Sequence, residues 1–213
     1  MSNIKHRTVG KLTIAAGIAA VLTMITVLTG VGSGNWLLGG LGDLMDVLSS
    51  ALVVPLFIFL GGLAMAGSPI LGRAVQIVGI SGAVTKLTGA LLIFSGIMAY
   101  EDAVPLVNAG TGLMGVALLL ALPASRRELG LGSGAFIFTL GVGLAMAVGL
   151  PGLFFNDAYA PLLQGEVGLA EMPPILVGLL IFAPLQLLGY PIWLLWFGRR
   201  LYKAPKPQAV QHT

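Results

Sequence analysis

"RAVQIVGISGAVTKLTGALLIFSGIMAY", Arg73 to Tyr100, is an apolar run with one charge inside it, Lys86. Where the membrane-spanning part of this run begins decides what that lysine is. A helix that crosses a bilayer needs about 20 mostly apolar residues. A span over 83–100 centres near residue 92, so Lys86 lies six residues, about 9 Å, from the centre. Its backbone is then a few ångströms inside the boundary, and its stem can carry the ammonium to the interface. A span starting at Ala74 would run to about 27 residues, longer than the bilayer requires. It would leave Lys86 near mid-membrane and in need of a partner. The shorter span is the expectation.

The same reading extends along the chain. Of 213 residues, 57% are hydrophobic and 9% charged, with a mean hydropathy of +0.99. A water-soluble domain carries about 25% charged residues to cover its surface, so the expected solvent here is lipid. Six apolar segments fit spanning helices: 12–31, 47–67, 83–100, 104–122, 134–154 and 174–197. The expected fold is therefore all-α, a single membrane domain over 1–213 with six transmembrane helices and a polar tail at 198–213.

Charge placement supports that count. Six crossings put Lys5, Arg7, Lys11, Arg73, Lys86, Arg126, Arg127, Arg199, Arg200, Lys203 and Lys206, all 11 basic residues, on one side. Asp43, Asp46, Glu101, Asp102, Asp157, Glu166 and Glu171 fall on the other. Basic residues mark the cytoplasmic side, so both termini are expected there, in a prokaryotic plasma membrane. The eighth acid, Glu128, fits a capping box with Ser125 at a helix start. Trp193, Trp196 and Tyr202 beside Arg199 and Arg200 read as an interfacial belt. The segments 33–46 and 156–173 read as helices lying along the outer surface.

"FIFLGGLAMAG", Phe57–Gly67, returns as "FIFTLGVGLAMAVG", Phe136–Gly149, and "LLIF" occurs at Leu91–Phe94 and Leu179–Phe182. A three-plus-three duplication would give inverted halves, a common plan for transporters. Few-letter composition produces the same echoes, and spans one and four show none. A simpler reading is packing. Gly62 with Ala66, and Gly141 with Ala145 and Gly149, put small residues four apart, the spacing that lets helix backbones approach closely in lipid.

The functional signal is sparse. With no cysteine there is no disulfide or thiolate chemistry, and His6 and His212 lie near opposite ends. No histidine-based triad, HExxH, paired intramembrane aspartates or Gly-x-Ser-x-Gly occurs. No catalytic residue, cofactor or metal site is expected, although Asp43, Asp46, Glu101 and Asp102 supply the oxygens a hard cation would use. "GLGSG", Gly130–Gly134, follows no strand and lacks the lysine of a phosphate loop. The candidate polar contacts at membrane depth are Asn108, Thr111, Gln186, Tyr190 and Lys86. Pro55, Pro184 and Pro191 fall within spans, and Pro184 with Gln186 marks span six for a break. The leading expectation is a non-catalytic accessory or scaffolding subunit that binds lipid and other membrane subunits, or its own copies, through small-residue faces, with no nucleic acid. It rests on the near-absence of buried charge. The alternative is a small transporter or channel for a neutral or weakly polar solute.

Overall fold

A computed structural model of the protein describes residues 3–33, 36–150 and 184–203. Among them are six α-helices and no strand. They are α1 (Asn3–Ser33), α2 (Trp36–Met65), α3 (Pro69–Phe94), α4 (Tyr100–Leu129), α5 (Ser133–Ala147) and α6 (Tyr190–Lys203). One π-helical turn, Leu185–Gly189, leads into α6. The first four hold apolar stretches long enough to cross a membrane: His6–Thr26, Leu37–Met65, Pro69–Phe94 and Asp102–Leu129. The fifth is apolar but has 15 residues. The expected start of span six at 174–183, the second "LLIF", the 156–173 connection and the tail beyond Lys203 lie outside the described residues.

The helix boundaries correct the sequence reading at three places. First, α2 starts at Trp36, so 33–46 is not a separate surface helix and Asp43 and Asp46 lie within α2. In an apolar medium the backbone must satisfy its own hydrogen bonds, so the helix continues through Gly39, Gly40 and Gly42. Second, α3 starts at Pro69, not Ala83. Ser68 is its N-cap, extended at φ −157°, and accepts a bond from the Leu71 N–H at 3.3 Å. Proline at the first position suits this start because its missing N–H is not needed there. Third, Ser125–Glu128 does not open a helix. It lies in the last turns of α4, where Ser125 is buried and Glu128 accepts from Arg127 Nε at 2.9 Å.

The helix ends at Gly130, whose φ of 59° is a left-handed conformation that favours glycine. Arg200 of α6 donates to the free carbonyls of Leu129 and Gly130 at 2.7 and 2.9 Å. A cation at a helix C-terminus also meets the negative end of the helix dipole. Arg200→Gln is expected to cost about 1–2 kcal/mol, read as a lowered thermal midpoint in detergent.

The expected break in span six is a π turn instead. Pro191 has no N–H for the carbonyl four residues back, Leu187. Widening the preceding turn accommodates the change of register without ending the helix.

The helices form a closed ring. Each packs on its sequence neighbour, α6 packs back on α1, and α2 also reaches α4. Close approaches set antiparallel directions. A Cβ on Gly10 would stand 2.6 Å from Tyr202 N, and one on Gly198 would stand 2.8 Å from Ile14 N. One end of the ring gathers Arg7, Lys11, Arg73, Arg126, Arg127, Arg199, Arg200 and Lys203. The other carries Glu101 and Asp102, with Asp43 and Asp46 farther in along α2.

The core is aromatic at α6. Trp193 and Phe197 stack at 4.9 Å and share one buried cluster with Leu56, Leu60, Met114 and Val142. Trp193 Nε1 donates to Thr139 Oγ1 at 3.0 Å, so the indole is buried with its donor satisfied. Outward, α1 exposes Ile18, Leu22, Ile25 and Leu28, and α3 exposes Ile70, Ile77, Val84 and Leu91. Apolar side chains covering the outside of a bundle are compatible with insertion into a bilayer.

The two "FIF…LAMA" copies differ in face. Ile58 and Ile137 are both exposed, but Leu63–Ala64 are buried in one copy and Ala145–Met146 in the other. The two extra residues of the second copy rotate its "LAMA" by about 200° on a 3.6-residue helix.

Candidate functional site

Glycine brings α3 against both neighbours. On the α2 side, Gly61 faces Gly72 and Gln76, and Gly79 faces Phe57. Gln76 Nε2 donates to the Ile58 carbonyl at 3.0 Å. On the α4 side, a Cβ on Gly82 would stand 2.7 Å from Gly110 O, and one on Gly110 would stand 2.5 Å from Gly82 O. Gly110 also lies directly against the Lys86 backbone nitrogen. Lys86 is thus fixed where α3 and α4 touch backbone to backbone.

From that position its side chain turns to α2. Lys86 Nζ donates to Asp46 Oδ1, and the two form an ion pair. Their side chains are 10% and 18% exposed, so both charges are largely shielded from solvent. Asp46 lies ten residues into α2 and Lys86 eight residues from the end of α3. These offsets are about 15 and 12 Å along the helix axes, so the pair sits well inside the apolar helices. Arg73 shares the helix with Lys86 but lies 13 residues, about 20 Å, away. Lys86 therefore does not belong to the basic end, which corrects the sequence reading.

Asp43 lies one turn before Asp46 on α2. Tyr190 is buried at the start of α6, and Tyr100 is exposed at the start of α4. Tyr100 precedes the apolar run of α4, and its phenol is pushed above the usual tyrosine value by partial burial, then by Asp43 and Asp46. Ser50 Oγ donates to the Asp46 main-chain carbonyl at 2.8 Å, and buried Ser49 ties α2 to the Ala16 carbonyl of α1 at 3.0 Å. Among the described residues, no three carboxylates or imidazoles converge as a metal site.

The sequence candidates separate on this map. Lys86 pairs with Asp46, whereas Tyr190 is buried in the hydrophobic core at the start of α6. Asn108 is half-buried on the α5 side of α4, where a Cβ on Gly149 would stand 2.7 Å from its carbonyl. Thr111 is buried and donates to Val107 O at 2.8 Å, a bond within its own helix. Gln186 is half-buried in the π turn, and its carbonyl accepts from the Tyr190 N–H.

Of the expected packing residues, Gly149 is tight, Ala145 is buried, and Gly141 makes only an ordinary contact with Leu185 at 3.7 Å. Gly62 is half-buried, and Ala66 lies exposed past the end of α2. The close seam of α4 and α5 is Gly112, Gly115, Gly143 and Gly149.

The sequence reading named Asp46 only as a possible oxygen ligand on the side opposite Lys86, and it missed the pairing of the two. The Ser68-Pro69 start signal would have lengthened α3, placed Lys86 inside it and demanded an acid at matching depth on α2.

Comparison with protein families, characterised proteins and solved structures finds no match in any of the three. The reading of function therefore rests on the site itself.

Proposed function

We propose that this chain is a six-crossing integral membrane protein that moves a small neutral or weakly polar solute across a plasma membrane. The basic end and both termini face the cytoplasm, and the Asp46–Lys86 pair is the polar step of the path. The pair is the observation that carries this reading. A charged side chain deep in a transmembrane helix costs about 2.5–3.5 kcal/mol on insertion scales. Apolar residues of similar volume often replace a buried ion pair without loss of stability. A chain that retains such a pair among apolar helices gains something other than stability from it. The accessory-subunit expectation relied on the near-absence of buried charge and on free glycine faces. The close glycine contacts instead lie between helices of this same chain.

Proteoliposomes provide the test. Stopped-flow light scattering with urea and glycerol as probes is expected to show faster entry than in protein-free vesicles. Asp46→Asn should reduce the excess rate at least tenfold. Entry at the protein-free rate for both solutes would sink the reading.

Sidedness is tested separately. The chain has no cysteine, so single reporters are unambiguous. An impermeant maleimide on intact cells should label Met98→Cys, in the α3–α4 turn, and spare Gly134→Cys, at the start of α5, until the membrane is opened. The reverse pattern would invert the orientation.

One observation favours the subunit reading. Ile70, Ile77, Val84 and Leu91 line α3 outward at seven-residue spacing, a row that another helix could cover. Gentle extraction and sizing would reveal a stoichiometric partner if that reading is right.

A further inference from the structure

We infer that the outward face of α3 is the docking surface for a second copy of this chain, which lays its own α3 alongside with Ser81 against Ser81. The inference goes beyond the transport reading and does not depend on it.

The face has a strict period. Ile70, Ile77, Val84 and Leu91 recur every seven residues and are all exposed. Ala74, Ser81, Thr88 and Ser95 lie between them, also seven apart. The three hydroxyl residues of this second row are exposed and Ala74 is half-buried. The two rows alternate at spacings of four and three, the heptad by which two helices pack in a left-handed pair. Small and hydroxyl residues at such positions let membrane helices approach and hydrogen-bond across the contact. Of the four long apolar helices, α3 has the smallest buried share. Its glycines are already used inward, against α2 and α4. Lys86 also turns inward, to Asp46, so no charge interrupts the outward face between Arg73 and Phe94. Arg73 flanks the face near the basic end, with a stem long enough to carry its charge to water.

Ser81 specifies the occupant. It lies twelve residues from the start of α3 and thirteen from its end, about 18 to 20 Å from either. That places it at mid-depth in a bilayer the helix crosses. Thr88 and Ser95 turn their hydroxyls back onto the carbonyls of Val84 and Leu92, at 2.9 and 3.3 Å. Among the described residues Ser81 makes no hydrogen bond. Lipid tails offer it none. A hydroxyl both donates and accepts, so it can satisfy its own copy, as an ammonium or a carboxylate cannot. Two chains inserted in the same direction bring equal residues to equal depth. A two-fold axis along the membrane normal then makes the surface complementary to itself. A different protein would have to supply a polar group of its own at mid-membrane.

Disulfide scanning of the full chain in its membrane tests the surface, because the chain has no cysteine. Under a membrane-permeant oxidant, Ala74→Cys, Ser81→Cys and Thr88→Cys should each give a covalent dimer. Ile18→Cys on α1 and Ile58→Cys on α2 replace side chains that are also exposed and should stay monomeric. Energy transfer between labelled chains diluted in lipid vesicles reads the affinity. Ser81→Ala should weaken association about three- to fifteenfold, the range of one interhelical hydrogen bond in lipid. Ser81→Thr should keep it, and Ser81→Leu combined with Thr88→Leu should abolish it. These side chains face outward, so the thermal midpoint of the monomer should not move. Dimers no more frequent at the α3 positions than at Ile18 or Ile58 would overturn the inference. So would association indifferent to Ser81→Ala, or a complex in which another protein covers α3. Neither readout involves solute flux.

Discussion

Gly110→Leu should leave little or no folded protein. The position has no room on its α3 side. A single Cβ there would stand 2.5 Å from the Gly82 carbonyl and 2.7 Å from Lys86 Cβ. The helices cannot slide apart locally to relieve this. The opposing Gly82 is as tight, with Met114 N 2.8 Å from where its own Cβ would be. Overpacking a side chain costs about 1–3 kcal/mol, and more when the obstacle is backbone. A domain's whole stability is only about 5–15 kcal/mol. Gly39→Leu and Gly134→Leu are the controls, because nothing lies within 4 Å of a Cβ at either position. Each should stay within about 0.5 kcal/mol of the native protein. Monodisperse yield and thermal midpoint in detergent read the outcome. A native midpoint for Gly110→Leu would mean that α3 and α4 do not touch there.

Lys86→Met should be the second largest loss, about 3–5 kcal/mol, because it leaves a carboxylate buried without its cation. The methionine keeps most of the stem volume, so the loss reports charge rather than packing. Asp46→Asn strands the ammonium instead and should also destabilise the chain. If both variants unfold at the native midpoint, the pair is exposed to water.

Much of the bundle was written in hydropathy alone. The apolar runs behind α1, α2 and α4 stand out because the chain has so few polar residues, and the separation of basic from acidic ends comes from where the charges fall between those runs. Helix ends were less legible. The acids and glycines of 36–46 look like a loop when weighed by propensities suited to water, yet in apolar surroundings the backbone has no better partner than itself. Lys86 was misplaced for the same reason, since one ambiguous boundary moved its depth by half a helix. The glycine spacing was visible but not its pairing. Gly61 rather than Gly62, and Gly143 rather than Gly141, make the close approaches. Which glycine faces a partner depends on helix rotation, which a four-residue spacing does not specify.

The measurement closest to the central claim is a double-mutant cycle on the pair. Asp46→Leu, Lys86→Met and the double variant would be compared with the native chain by reversible unfolding in detergent. If the two charges are buried together, each single change strands its partner and the double change strands nothing. The double variant should then recover most of the loss, and the effects should depart from additivity by at least about 2 kcal/mol. Losses that simply add would show that Asp46 and Lys86 do not meet, and the buried ion pair would not exist.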